Sequence, residues 1–325
     1  MSFLPLSDNA ARQIIDASTI FEEWRRVDGQ ARPYAGGMYF KREGKYEYLV
    51  KTSPDNRQNR LGRRSAETEA VFKEFVEHKH ALEARRKSLH DALTEAERMN
   101  KALKAGRVPS KVIAVLHALE DAGLGEHFTV VGTHALYAYE AAAGVRIVQG
   151  ALATQDVDLL WDARRRVSFV TTMIKLDKSI LQVLQQAEPS FRRKEGQAET
   201  AIDNKGFEVD FLRRQPVDGD PHPFRFSGHE DDLWPVRAER AAVLTSAPRF
   251  EHLVIAATGR MALMRTIDPA VFVSFKRWMS GKADRPESKR RRDARQADIV
   301  DTLLSEGLLR ARGSSASMVL RNGPY

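Results

Sequence analysis

The chain has 325 residues, 42% of them hydrophobic, and a formal net charge of +8 at pH 7. That length and apolar content support a buried core and two or more domains and exclude a disordered chain. The absence of cysteine excludes disulfides and thiolate metal sites, leaving carboxylates, imidazoles, carbonyls and water to hold a cation, with magnesium or manganese the natural choice.

No run of about 18 apolar residues could cross a bilayer, and the opening MSFLPLSDNAARQ lacks the basic-then-apolar order of a secretory signal. The expectation is a soluble, cytoplasmic protein with no membrane partner. Its positive charge favours polyanions such as nucleic acid or nucleotide phosphates, although such charge also serves solubility alone.

In chain order, Leu6 to Trp24 carries Ile14, Ile15, Ile20, Phe21 and Trp24 near helical spacing and breaks at Asp28-Gly29. Tyr34 to Lys51 alternates around Gly44 and reads as a β-hairpin with Tyr46, Tyr48 and Val50 on one face. Ala66 to Lys104 is rich in Glu, Lys, Arg, Ala and Leu without Pro or Gly, which predicts one long helix ended by Gly106 and Pro109. These elements form an N-terminal region, residues 1–109.

Lys111 to Ala122 then reads as a helix capped by Gly123, Phe128 to Val131 as a strand, and His134 to Ala143 as a helix entered through Gly132. Ala153 to Trp161 is a predicted strand, and Thr171 to Gln186 reads largely as helix. Glu199 to Asp203 and Phe207 to Leu212 form strands about an Asn204-Lys205-Gly206 turn. A loop from Val217 to Gly228 follows. Residues 110–250 are thus a mixed α and β core.

A short strand or helix entry near Leu253 to Ala257 precedes two helices. One starts at Asp268-Pro269 and runs to Gly281, and the other spans about Pro286 to Leu304. They make a C-terminal helical region, residues 251–312, and Gly313 to Tyr325 reads as a flexible tail. The fold class is α+β, a small mixed sheet flanked by helices, with helices at both ends.

Chemistry is suggested by Asp156-Val157-Asp158, because alternation on a strand puts both carboxylates on one face while Val157 and Leu159 face the core. Like charges so placed repel, and a divalent cation relieves them. Asp210 repeats the pattern with Phe207, Val209 and Phe211 inward, and completes a three-carboxylate cluster if the two strands are neighbours. Alone, an Asp-x-Asp strand is equally a solvated face. Gly132 and Thr133 add weight: glycine lets the backbone approach a ligand, and the new helix offers N–H groups to an anion.

A glycine-plus-hydroxyl turn at a strand-helix junction, then Asp-x-Asp on a strand, then a single Asp on a later strand resembles the DNA polymerase beta-like nucleotidyltransferase superfamily. Residues 132–136 and 154–158 are similar to the small prokaryotic members of minimal and antitoxin-linked type. The resemblance covers about residues 110–215, extends more weakly through Phe275 to Trp278 and Lys289 to Ala297, and leaves out the first hundred residues. It implies a nucleotidyltransferase core with two Mg2+ (or Mn2+) ions: Asp156 and Asp158 as ligands of both, and Asp210 as a ligand of one that helps deprotonate the attacking hydroxyl. Gly132 and Thr133 would hold the β and γ phosphates of an NTP such as ATP. Thr133 departs from the family's more usual serine or glycine but keeps a hydroxyl, and the Thr133 to Asp156 interval is longer than in the most compact members.

Lys276 and Arg277 are candidate cations for the triphosphate, against the commoner role of a solvated helix face, and the Lys289 to Arg292 run reads likewise as a wet face. His134 reads as a local hydrogen-bonding residue. The trio His222, His229 and His252 lacks zinc-like spacing, and Trp161, Trp234 and Trp278 read as core or interface aromatics.

The leading expectation is transfer of an NMP from an NTP to an RNA or DNA end, such as a tRNA acceptor stem, with loss of pyrophosphate. The rivals are nucleotide transfer to a protein hydroxyl, and a catalytically silent nucleic-acid-binding module. The long N-terminal helix could pair with itself in a homodimer under any of these.

Overall fold

Side chains cap the starts of several helices in the computed structural model, which describes residues 2–54, 56–152, 154–216 and 224–311. The chain divides into two units, Arg12–Leu103 and a second made of Met1–Ala11 with Lys104–Tyr325. It opens with β1 (Phe3–Pro5) and α1 (Asp8–Ala31), the latter crossing from the second unit into the first.

Within Arg12–Leu103 follow β2 (Gly37–Glu43), β3 (Tyr46–Thr52), β4 (Gln58–Arg63) and α2 (Ala66–Ala102). The expected hairpin is present, and β4 extends it to a three-stranded antiparallel sheet in the order β2-β3-β4. Polar, glycine-containing Gln58 to Arg63 shows no clear apolar alternation, so its pairing with β3 was not evident in the sequence. Ser65 caps α2 through a reciprocal pair with Thr68, satisfying N–H groups that a helix start leaves free. Leu49 is fully buried, and Phe40 meets Phe72 of α2 with ring centroids 5.4 Å apart.

The larger unit continues with α3 (Ser110–Asp121), β5 (Phe128–Val131), α4 (Ala135–Ala143), β6 (Val145–Ile147), β7 (Asp156–Trp161), α5 (Arg166–Leu176) and α6 (Ile180–Ala187). Then come β8 (Arg192–Lys194), β9 (Gln197–Ile202), β10 (Glu208–Arg213), β11 (Val236–Arg237), α7 (Ala241–Ser246), β12 (Arg249–Ile255), β13 (Met261–Ile267), α8 (Pro269–Ser280) and α9 (Glu287–Ser305). β1 pairs with β6, and the remaining strands build a mixed sheet in the order β12-β13-β5-β7-β10-β9-β8, with β11 beside β10.

Several expectations are refined here. Thr171 to Gln186 is largely helical as expected, in two pieces, because Asp177 adopts a left-handed φ of 49° and Ser179 starts α6 with its own capping box. Past residue 250 the chain is not all helical. β12 straddles the expected boundary, and β13 lies between β12 and β5 in the mixed sheet, whose flanking by helices is the fold class expected. The expected loop at Val217 to Gly228 falls partly, and the tail at Gly313 to Tyr325 wholly, outside the described residues. No helix among the described residues is long and apolar enough to cross a membrane.

One face of the central strands is core. Val157, Leu159, Val209 and Phe211 are at most 1% exposed, and Phe211 joins Phe128, Phe169, Phe226 and Trp161 in edge-on ring contacts. Burying each such side chain stabilises by roughly 1.5–3 kcal/mol, which fixes strand register, since a one-residue slip would turn every core side chain outward. Trp161 stacks on Phe224 at 4.4 Å and is a core aromatic as expected.

Candidate active site

Register places the acidic side chains. β7 and β10 are parallel neighbours, with Asp158 opposite Asp210 and Asp156 opposite Glu208. Because Val157, Leu159, Val209 and Phe211 take the core face, all three aspartates emerge on the other. One carboxylate oxygen from each of Asp156, Asp158 and Asp210 lies within 4.8 Å of the others, so the group could hold a metal ion. Hard oxygen donors this close suit Mg2+ or Mn2+.

The three carboxylates are held differently. Thr200 Oγ1 donates to Asp210 Oδ1 at 2.6 Å, and Thr154 Oγ1 donates to Asp156. Burial, followed by the charges of Asp156 and Asp210, pushes Asp158 up to about 7, against the opposing pull of Lys276 and Arg285. Asp210 is also raised, chiefly by burial and against the hydrogen bond from Thr200. Such electrostatic crowding calls for a cation.

β5 runs antiparallel to β7 and sets Val131 opposite Asp158, so the turn that follows β5 meets the carboxylates directly. Gly132 has φ +69°, and a Cβ there would lie 2.1 Å from Asp158 Oδ2. Only glycine combines that backbone with that approach. Thr133 is buried, and its Oγ1 accepts from Gln296 Nε2 at 3.2 Å. His134 is buried behind the turn with Nδ1 unpartnered among the described residues. Burial pushes it down to about 4 despite nearby Asp156, so it is neutral at pH 7.

Gly132, Thr133 and the three aspartates line one cavity of about 410 Å³. Its far side comes from α7, α8, the turn after α8, and α9. These bring Lys276, Lys282, Arg285, Lys289 and Arg292 together with the apolar Leu244, Phe275, Trp278 and Met279. The site therefore sets carboxylates on the sheet against cations on the helices.

Lys276, singled out from the sequence, lines this cavity and is 4% exposed. Its Nζ donates to Asp293 Oδ1 at 2.8 Å, and Arg285 Nε donates to the other oxygen of the same carboxylate at 2.5 Å. Burial lowers the Lys276 pKa while Asp293 opposes it. Arg277 differs: it is exposed, pairs with Asp301 at 2.6 Å, and is not among the lining residues. Helix geometry explains this, since adjacent residues point about 100° apart.

Several further groups line or brace the cavity. Lys282 and Arg285 lie in an aperiodic connection without signal. Lys289 and Arg292, read as a wet face, line the cavity, and Asp293 and Gln296 behind them are fully buried. Their i, i+3, i+4 and i+7 spacing puts them on one side of α9, a signal available in the sequence. Trp278, expected as a core or interface aromatic, is partly buried and lines the cavity, with the Arg240 guanidinium 4.5 Å from its ring centroid. Trp234 is partly buried under Arg225. Of the three histidines set aside, His222 lies outside the described residues, and His252 contacts the neighbouring Leu253 carbonyl.

Comparison with curated proteins and with solved structures finds no match. A family model described as nucleotidyltransferase matches residues 110–317, well over half the chain, and spans every residue of the cavity. The chain belongs to this nucleotidyltransferase family.

Proposed function

We propose that the cavity binds a nucleoside triphosphate with two Mg2+ or Mn2+ ions and transfers its nucleotidyl group to a hydroxyl at an RNA or DNA end, in the manner of the DNA polymerase beta-like superfamily. The observation that carries this is the convergence of Asp156, Asp158 and Asp210 across two neighbouring strands, beneath a glycine turn that touches Asp158. Family membership implies the triphosphate substrate; the ions and the acceptor are our reading.

The bound ions would neutralise charge on the entering and departing oxygens. The protein's share is positioning. Asp156 and Asp158 would hold both ions, and Asp210, steadied by Thr200, would hold one and draw the proton from the attacking hydroxyl. The backbone N–H groups of Gly132 and Thr133, with the Thr133 hydroxyl braced by Gln296, would grip the β and γ phosphates. Lys276 and Arg285, fixed by Asp293, add positive charge opposite the carboxylates. The acceptor hydroxyl attacks the α-phosphorus in line, the bond to the bridging oxygen breaks, and pyrophosphate leaves.

The test is transfer of labelled nucleotide from each of the four triphosphates, with magnesium, to total cellular RNA, DNA or protein. Asp158→Ala should abolish incorporation while keeping the fold by circular dichroism. Incorporation unchanged in that variant would refute the site. Label recovered in protein alone would move the acceptor from nucleic acid to a protein hydroxyl.

A further inference from the structure

The positive charge of the chain is concentrated in one small sheet. Between residues 37 and 64 eight Lys or Arg stand against Glu43, Glu47 and Asp55, whereas the long α2 that follows is nearly balanced. One face of this sheet is spent on α2, where Phe40 meets Phe72 and Lys51 lies over Phe75. Alternation then sends Lys41, Tyr46, Tyr48, Arg60 and Arg63 to the opposite face, where Tyr48 pairs in register with both Lys41 and Arg63.

That face is open at its Lys41, Tyr46 and Arg63 end, while Val50, farther along it, is buried. Lys41, Arg60 and Arg63 are exposed, and Tyr46 is 43% exposed. The Arg60 guanidinium lies 4.2 Å from the Tyr48 ring centroid, and that of Arg63 lies 3.3 Å from that of Tyr46. A guanidinium held over a tyrosine ring loses freedom in advance, and its planar fork of donors suits phosphate oxygens. Glu43 pairs with Arg60 and Lys41 and tempers the charge, while Arg63 makes no ion pair among the described residues. Covering the tyrosine faces with guanidinium also removes the open rings that unstacked bases would need.

We infer that the outer face of β2, β3 and β4 docks the phosphate backbone of duplex nucleic acid. Strands of this length make a face about 20 Å long, long enough to meet several phosphates at one charge per roughly 1.7 Å of duplex axis. The inference goes beyond the nucleotidyl-transfer reading, because it lies in residues the family match leaves out and requires no turnover.

The experiment uses the full chain and fluorescence anisotropy with short labelled duplex DNA, duplex RNA and the corresponding single strands, over salt from about 50 to 200 mM. Duplex of either kind should bind, with a steep salt dependence, and Asp158→Ala should bind equally well, separating this claim from catalysis. Arg60→Gln with Arg63→Gln should weaken binding about tenfold per side chain near 0.1 M salt and reduce the slope of log Kd against log salt by about two. Arg60→Lys with Arg63→Lys should retain most of the slope. Unchanged affinity in the glutamine pair, tighter binding of single strands than of duplex, or capture by anionic lipid vesicles in place of duplex would each overturn the inference. Circular dichroism of the glutamine pair guards against loss of fold, and if it is lost, Lys41→Gln carries the same expectation for one contact.

Discussion

Gly132→Ala should separate stability from activity, with Gly144→Ala as its internal control. Both glycines have left-handed backbones, φ +69° at Gly132 and +64° at Gly144, so alanine at either should cost about 1–2 kcal/mol in backbone strain. Their surroundings differ. A Cβ at Gly144 meets nothing within 4 Å, while at Gly132 it lies 2.1 Å from Asp158 Oδ2 and 3.2 Å from its Cγ. The atom in the way is the end of an aspartate side chain, which can rotate, so little further stability is lost.

What moves, however, is a carboxylate of the proposed metal cluster, and it must shift by about 1 Å to clear the methyl group; misplacement on that scale costs roughly 100-fold in rate. The assay is urea denaturation of both variants beside magnesium-dependent incorporation of labelled nucleotide. Similar losses of stability with a selective loss of activity in Gly132→Ala are expected. Full activity in Gly132→Ala, or an equal loss in Gly144→Ala, would refute the reasoning.

Other consequences follow from the same geometry. With the raised Asp158 pKa of about 7, the folded, metal-free chain holds a proton that the unfolded chain releases near pH 4. Stability should therefore be lost as pH rises from about 4 to 7, by up to about 4 kcal/mol. Thermal melts in chelator should show this decline, Asp158→Asn should flatten it, and magnesium should restore wild type at pH 8; a wild-type profile already flat in chelator would exclude the crowded carboxylates. Asp293→Ala strands Lys276 and Arg285 in buried or half-buried positions, so unfolding in urea should show a loss of about 3–5 kcal/mol. Gln296→Leu removes the donor to Thr133 Oγ1 and to the Ala151 carbonyl. It should cost about 1–3 kcal/mol and raise the KM for triphosphate, measured by initial rates; an unchanged KM would mean Thr133 is not a phosphate contact.

The local pieces were legible from neighbouring residues. Alternation in Thr154 to Trp161 and Phe207 to Leu212 is a period-2 signal read from neighbouring residues, and it assigned Asp156, Asp158 and Asp210 to the polar faces of their strands. Gly132 before a helix and Asp268-Pro269 at the start of another are likewise local, because caps and turns depend on a few adjacent bonds. What those pieces meet depends on packing between distant segments. The pairing of β7 with β10 brings Asp210 beside Asp158 from about fifty residues away, and the entry of β13 between β12 and β5 leaves no mark in the composition of Met261 to Ile267. Lys289 and Arg292, which line the cavity with Lys276, Lys282 and Arg285, read as solvated charge because exposure is set by what another element covers. α8 and α9 fold back over the carboxylates, and Asp293 and Gln296 then become fully buried, where a polar side chain is stable only with the partners that packing supplies.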